Sequence, residues 1–321
     1  MKRELRQVHF QLTRNCNLRC SFCGQWGKKG FFADSSGSEM TLNDWNRIIY
    51  ELEEYRYKTG TSPVITLWGG EPLVSHCFDE IAKTLKYKQF QTELITNGTK
   101  IDKHKEIIEE CIDRLYVSLD GNSKIHNQIR GEGVFEKVIE NLERLNHKNI
   151  TVMSVVTHAL IDNLEGFLDE LNKLKIHTLF LQDMIGLNKD EVKEYKLWMN
   201  EAFGIEAKEI DSWETEGNIN FTRELTQKLN RINKADYLFA ITHKHHTDNP
   251  EIICTSPFNH AHIAWNGNVL YCTDFYDFSA GNIKNEKLLD ILNNEVSRKY
   301  RKEIQNNRCV TCRHCSWRLS W

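Results

Sequence analysis

Apolar and polar positions along the chain follow two periods that take turns. Short runs rich in β-branched or apolar residues, at 8–13, 64–68, 93–96, 115–119, 151–157 and 177–182, read as six strands. Between them the apolar residues fall at helical spacing. Leu42, Trp45, Ile48, Ile49, Leu52 and Tyr55 recur behind Thr41, with Asp44 placed as the acid of a capping box. Ile161, Leu164, Phe167, Leu168, Leu171 and Leu174 repeat the pattern, with Asp162 and Glu165 at its start. Strands that alternate with helices predict a parallel sheet with crossover helices. If that sheet curls, it forms a partial barrel with its site at the carboxyl ends of the strands.

The residues at those ends are unusual. Cys16-Asn17-Leu18-Arg19-Cys20-Ser21-Phe22-Cys23 follows the first strand, Gly69-Gly70-Glu71-Pro72 the second, Asn97-Gly98 the third and Asp120-Gly121 the fourth. Three cysteines at this spacing can wrap a short loop around one iron–sulfur cubane and leave one iron open. A zinc knot with a distant fourth ligand uses the same thiols. Paired glycines permit a close backbone approach, and Glu71 places a carboxylate and carbonyls near the open iron, suited to an ammonium group.

Composition narrows the setting. Hydrophobic residues at 40% and charged residues at 27% describe a globular chain of one large or two ordinary domains. A net charge of -3 offers no basic footprint for nucleic acid, and no apolar run is long enough to span a membrane. With no export signal, the chain reads as cytoplasmic, and its ten cysteines as metal ligands or reduced thiols. Cys77 and Cys111 sit alone in helical patterns and read as core.

In its cysteine triad with Phe22 before the last cysteine, and in Gly69, Gly70, Glu71 and Pro72, the chain resembles radical S-adenosylmethionine (SAM) enzymes. Ser118-Leu119-Asp120-Gly121, His126 and Ile129-Arg130-Gly131 resemble the segment that reads the ribose and carboxylate of SAM in the branch with auxiliary clusters. The likeness covers roughly residues 7–183. It implies that Cys16, Cys20 and Cys23 hold a 4Fe-4S cluster, that Ser118 meets the ribose or carboxylate of SAM, and that Arg130 meets the carboxylate. It also implies reductive cleavage of SAM to a 5'-deoxyadenosyl radical that takes hydrogen from substrate, fed by an external one-electron reductant of flavodoxin or ferredoxin type.

Farther along, 189–203 and 223–238 read as helices, Trp213 and nearby acids as a loop, and His243-Lys244-His245-His246 as a solvated helix end. Residues 261–265 and 268–271 form a hairpin around Asn266-Gly267, flanked by Cys254 and Cys272. A helix over 288–304 leads to Cys309, Cys312 and Cys315. The first pair resembles the opening of the SPASM/twitch extension, yet five cysteines are fewer than a two-cluster SPASM needs. The expectation is a twitch-like module with one auxiliary 4Fe-4S cluster on Cys254, Cys272, Cys309 and Cys312, with zinc as the alternative. Cys315 is then spare, a candidate hydrogen donor.

The expected architecture is a partial (β/α)6 barrel over 1–183, a helical connector over 184–249 and the cluster module over 250–321. Substrate contacts are expected from Gln182, Asp183, Asp274, Tyr276 and Asp277. The first reading is radical modification of a small peptide or natural-product precursor. Little chain precedes the first strand to form a leader-binding domain, which weakens the peptide substrate. Oxidation of a small-molecule alcohol and a non-catalytic SAM sensor are the alternatives.

Overall fold

Strand residues with alternating character build the centre of the molecule, because a pleated strand sends successive side chains to opposite faces. The computed structural model describes residues 4–27, 30–32, 37–216, 221–244, 253–306 and 308–315. His245 and His246 of the polar run lie outside them. Strands β1 (Gln7–Gln11), β2 (Val64–Trp68), β3 (Thr92–Thr96), β4 (Arg114–Ser118), β5 (Ile150–Val156), β6 (Thr178–Asp183) and β7 (Ala240–Lys244) pair in chain order, all parallel. On the other side of β1 lie β8 (His260–Ile263), β9 (Asn268–Leu270) and β10 (Gly281–Asn282). β8 runs parallel to β1, while β9 and β10 are antiparallel to their neighbours. One sheet therefore passes from the expected barrel into the C-terminal module.

Twelve helices accompany the strands among the described residues. They are α1 (Leu42–Thr59), α2 (Phe78–Tyr87), α3 (Lys105–Cys111), α4 (Ser123–Arg130), α5 (Val134–Arg144), α6 (His158–Asp162), α7 (Leu164–Leu171), α8 (Lys189–Phe203), α9 (Thr222–Arg231), α10 (Ser256–Asn259), α11 (Leu288–Asn293) and α12 (Glu295–Gln305). α1 shows why the apolar spacing was readable. Thr41 and Asp44 close a capping box at its start, Gly60 ends it at φ 76°, and Trp45, Ile48, Ile49, Leu52 and Tyr55 form the buried face. Val8 and Phe10 of β1, Ile65 and Leu67 of β2, and Leu115 and Val117 of β4 join those helices in one core. The intervening residues, among them His9, Thr66, Trp68, Arg114 and Tyr116, line a chamber inside the barrel. Cys77 and Cys111 are core residues.

The sequence reading needs four corrections. His243 and Lys244 are strand, not helix end, because β7 pairs with β6 over five residues and His243 Nε2 sits 2.9 Å from the Asp183 carboxylate. The expected helix over 223–238 stops at Arg231, and Leu238 is exposed. The pattern over 161–174 breaks at Asn163 into α6 and α7. The helix over 288–304 is two, because Asn294 leaves the helical conformation and its side chain caps α12 by accepting from Ser297 N–H. No helix among the described residues is long and apolar enough to cross a membrane.

Candidate active site

The three N-terminal cysteines lie on a loop that its neighbours hold from several sides. Cys23 N–H donates to Cys20 O at 3.1 Å and Gly27 N–H to Cys23 O at 2.7 Å, while Ser21 N–H reaches Ile129 O of α4 at 3.0 Å. Leu18 N–H and Trp26 N–H each lie 3.4 Å from a thiol, Cys16 and Cys23 respectively. Hydrogen bonds of this kind to sulfur are among the levers that set a cluster's potential. Behind the loop, Gly70 N–H donates to Thr13 O at 2.9 Å and Glu71 N–H to Asn15 O at 2.8 Å. A Cβ on Gly70 would stand 2.3 Å from Asn15 O and 2.4 Å from Arg14 O, so glycine is required there by contact.

Glu71 is almost fully buried, and its carboxylate serves the protein first. It accepts from Thr96 Oγ1 at 2.7 Å, Asn97 N–H at 2.7 Å and Leu73 N–H at 3.1 Å. Burial still raises its pKa, against those hydrogen bonds. Both of its oxygens therefore already hold donors from the protein itself. Across the cavity Arg130 Nε donates to Asp120 at 2.5 Å, and Asp120 also accepts from Val155 N–H. Burial opposes the charge on Arg130, yet Asp120 holds its pKa above the ordinary value. Arg130 lies over the Phe22 ring at 5.9 Å and lines the cavity together with Ser118. That leaves its remaining N–H groups suited to a carboxylate.

Two cavities meet here. The first, about 260 Å³, is walled by the cysteine loop, the Gly69–Glu71 turn, Ser118 and Arg130. The second is the barrel chamber, about 720 Å³, and Cys254, Cys272, Cys309, Cys312 and Cys315 all line it. Trp68, Ile95, Gln182, Thr273 and Asp274 belong to both walls. Of the expected substrate contacts, Gln182 and Asp274 thus stand at the junction, and burial pushes the Asp274 carboxyl up to about 6.

The other three are placed differently. Asp183 lines the first cavity, but its carboxylate holds Thr222 Oγ1 at 2.7 Å and His243 at 2.9 Å. Asp277 lines neither cavity; it accepts from Lys208, Glu209 and Ile210 N–H and so caps the turn Glu209–Trp213. Tyr276 packs among Phe31, Phe32 and His262, behind the wall. Residues that sequence reasoning passed over are Trp68, Ile95 and Thr273 at the junction and Trp213 above it. Strand parity carried the signal for the first two, since Trp68 shares the inward face with Thr66, and Ile95 with Glu93.

The N-terminal cysteines do not have the compact spacing of a single-ion site. A tetrahedral zinc with bonds of about 2.3 Å needs sulfurs about 3.8 Å apart. Among the described residues no three cysteine sulfurs lie within 4.8 Å of one another. Burial pushes the Cys16 thiol up to about 12, so thiolate there requires a compensating cationic centre.

This arrangement defines a class of protein: an iron–sulfur protein in which Cys16, Cys20 and Cys23 would hold one cluster at the mouth of a parallel partial barrel, with a second cysteine set below it. The chain belongs to the Radical SAM superfamily, whose family model matches residues 10–174, and residues 254–316 match the SPASM iron–sulfur cluster-binding domain. The chain is 23% identical to Fe-coproporphyrin III synthase of Methanosarcina barkeri over 97% of its own length and 80% of that protein. A probable GTP 3',8-cyclase of Methanococcus maripaludis is 27% identical over 54% of this chain, which spans only 57% of the cyclase. Among solved structures, Streptococcus suis SuiB bound to its precursor peptide SuiA superimposes with a TM-score of 0.69 at 18% identity, over 98% of this chain and 72% of SuiB. The protein is a radical SAM enzyme with a SAM-binding 4Fe-4S cluster and an auxiliary iron–sulfur domain. When bound, the cluster and SAM together supply a 5'-deoxyadenosyl radical.

Proposed function

We propose that this enzyme modifies a small peptide or natural-product precursor held in the barrel chamber, by hydrogen abstraction at the junction of the two cavities. One observation carries the reading: the SAM-side cavity and the chamber share Trp68, Ile95, Gln182, Thr273 and Asp274, and the C-terminal cysteines line the same chamber. A substrate carbon at the junction is open to the SAM side, and the rest of the molecule extends toward the auxiliary site. On this reading Gln182 and Asp274 are the polar groups beside the reacting carbon, and Cys16, Cys20, Cys23, Ser118 and Arg130 hold cluster and SAM. SuiB, bound to a precursor peptide in its own structure, supports a peptide as the first substrate class. The names of the sequence relatives, a synthase of Fe-coproporphyrin III and GTP cyclases, support small natural-product precursors.

Because thiols line the chamber directly, an oxidation in which the auxiliary cluster takes an electron from substrate is the second reading. The deciding experiment is anaerobic turnover with SAM, reductant and short peptides encoded near the gene, read by mass spectrometry. Epimerisation leaves peptide mass unchanged but takes up solvent deuterium, whereas crosslinking or alcohol oxidation removes two hydrogens. Formation of 5'-deoxyadenosine with no change in any peptide, together with oxidation of a small alcohol, would replace the first reading by the second.

A further inference from the structure

Trp213 belongs to the connecting segment, outside both stretches matched by the family models. Its indole nevertheless touches two separate parts of the site, the cluster loop and the turn after Cys272. The ring lies where a side chain at Gly24 would begin: a Cβ there would stand 2.6–3.0 Å from indole carbons Cζ2, Cε2 and Cη2. Indole Nε1 donates to the carbonyl of Asp274 at 2.8 Å, and the ring packs against Phe275 at 6.0 Å between centroids. Trp213 also forms part of the wall of the SAM-side cavity.

The indole is not free to slide. Leu187 N–H donates to Trp213 O at 2.9 Å, and the turn that carries Trp213 is capped by Asp277 through three backbone N–H groups. Gly24 directly follows Cys23 and does not have the positive φ that side chains avoid. The three atoms nearest to a Cβ there all belong to the indole. We propose that Trp213 is a positioning residue that presses on the cluster loop one residue past Cys23 and fixes it against the turn after Cys272. SAM affinity then depends on a contact between the connecting segment and the loop. The inference rests on superfamily membership and not on the substrate reading, so it can fail or hold whatever the substrate proves to be.

The test is a double-mutant cycle on reconstituted enzyme, read by SAM dissociation constant, by iron content, and by the change that SAM causes in the electron paramagnetic resonance spectrum of the reduced cluster. Trp213→Ala is expected to weaken SAM binding about tenfold with iron retained, and Trp213→Phe, which keeps a ring but loses the Nε1 bond, about threefold. Gly24→Ala is expected to match Trp213→Ala in the wild-type background and to add nothing once the indole is gone. If Trp213→Ala loses its iron, the cycle is read with Trp213→Phe, where Gly24→Ala should cost less than in wild type. SAM binding within twofold of wild type in Trp213→Ala, or an equal cost of Gly24→Ala with and without the indole, overturns the proposal.

Discussion

Glu71 illustrates how a residue that resembles a ligand contact can work mainly through its neighbours. Its two oxygens accept one hydroxyl and two backbone N–H donors. Glu71→Gln would keep the shape but turn an amide nitrogen toward at least one of those donors. The expected result is a stability loss of about 1–3 kcal/mol with weaker SAM binding, read by thermal denaturation and equilibrium dialysis. Glu209 makes a prediction of opposite sign. Burial, then the nearby Asp277 carboxylate, push its carboxyl from 4.5 to about 7, and Oε2 has no hydrogen-bond partner. The folded state therefore binds this proton more tightly than the unfolded state, so the stabilisation is full below pH 4.5 and is lost as pH rises through about 7. Glu209→Gln should melt with wild type at low pH and above it at pH 8. A constant gap across that range would show that the carboxyl does not titrate there.

At the scale of elements, legibility followed burial on one face. Six strands and α1 were readable because each shows a core-facing period, which the structure places against one continuous apolar core. The breaks at Asn163 and Asn294 were hidden because the apolar period continues across them, and only the local conformation of the asparagine stops each helix. β7 was missed for another reason. Its sequence, Ala-Ile-Thr-His-Lys, is polar, and what makes it a strand is distant: β6 supplies the ladder and Asp183 the partner for His243. The cysteine loop and the glycine turn were readable as chemistry, whereas Trp213 was not, because its contact at Gly24 spans 189 positions of chain and leaves no spacing signal. Polarity alone marks Asp277 as a substrate contact, whereas its carboxylate caps a turn by accepting from Lys208, Glu209 and Ile210 N–H. Asp277→Ala should leave three backbone donors unpaired, lower stability by about 1–3 kcal/mol and loosen Trp213, so SAM binding weakens while iron stays. Unchanged melting would contradict the cap.

For the whole molecule, the question is how one sheet serves two cysteine sets. β8 pairs with β1, and β9, antiparallel to β8, runs back toward Cys272, so the strand that leads toward Cys272 lies one strand away from the strand that leads toward Cys16. The two sets are thereby built on one continuous sheet and line cavities that share wall residues. Replacing Cys16, Cys20 and Cys23 together by alanine should abolish SAM cleavage and leave about half the iron, as expected for two clusters of one type; loss of all iron would show that the second site cannot fill alone. We propose Cys315 as the residue that returns hydrogen to a substrate radical in the chamber. It lines the chamber with Cys272, and Lys244 stands close enough to feel its charge. Four thiols suffice for one fully ligated cluster, and on this proposal the fifth is the hydrogen donor. Cys315→Ala should keep iron near the wild-type level and still form 5'-deoxyadenosine, while the solvent deuterium that wild type places in product disappears. Iron falling by about half would instead make Cys315 a ligand, and the spare thiol would then be Cys309 or Cys312.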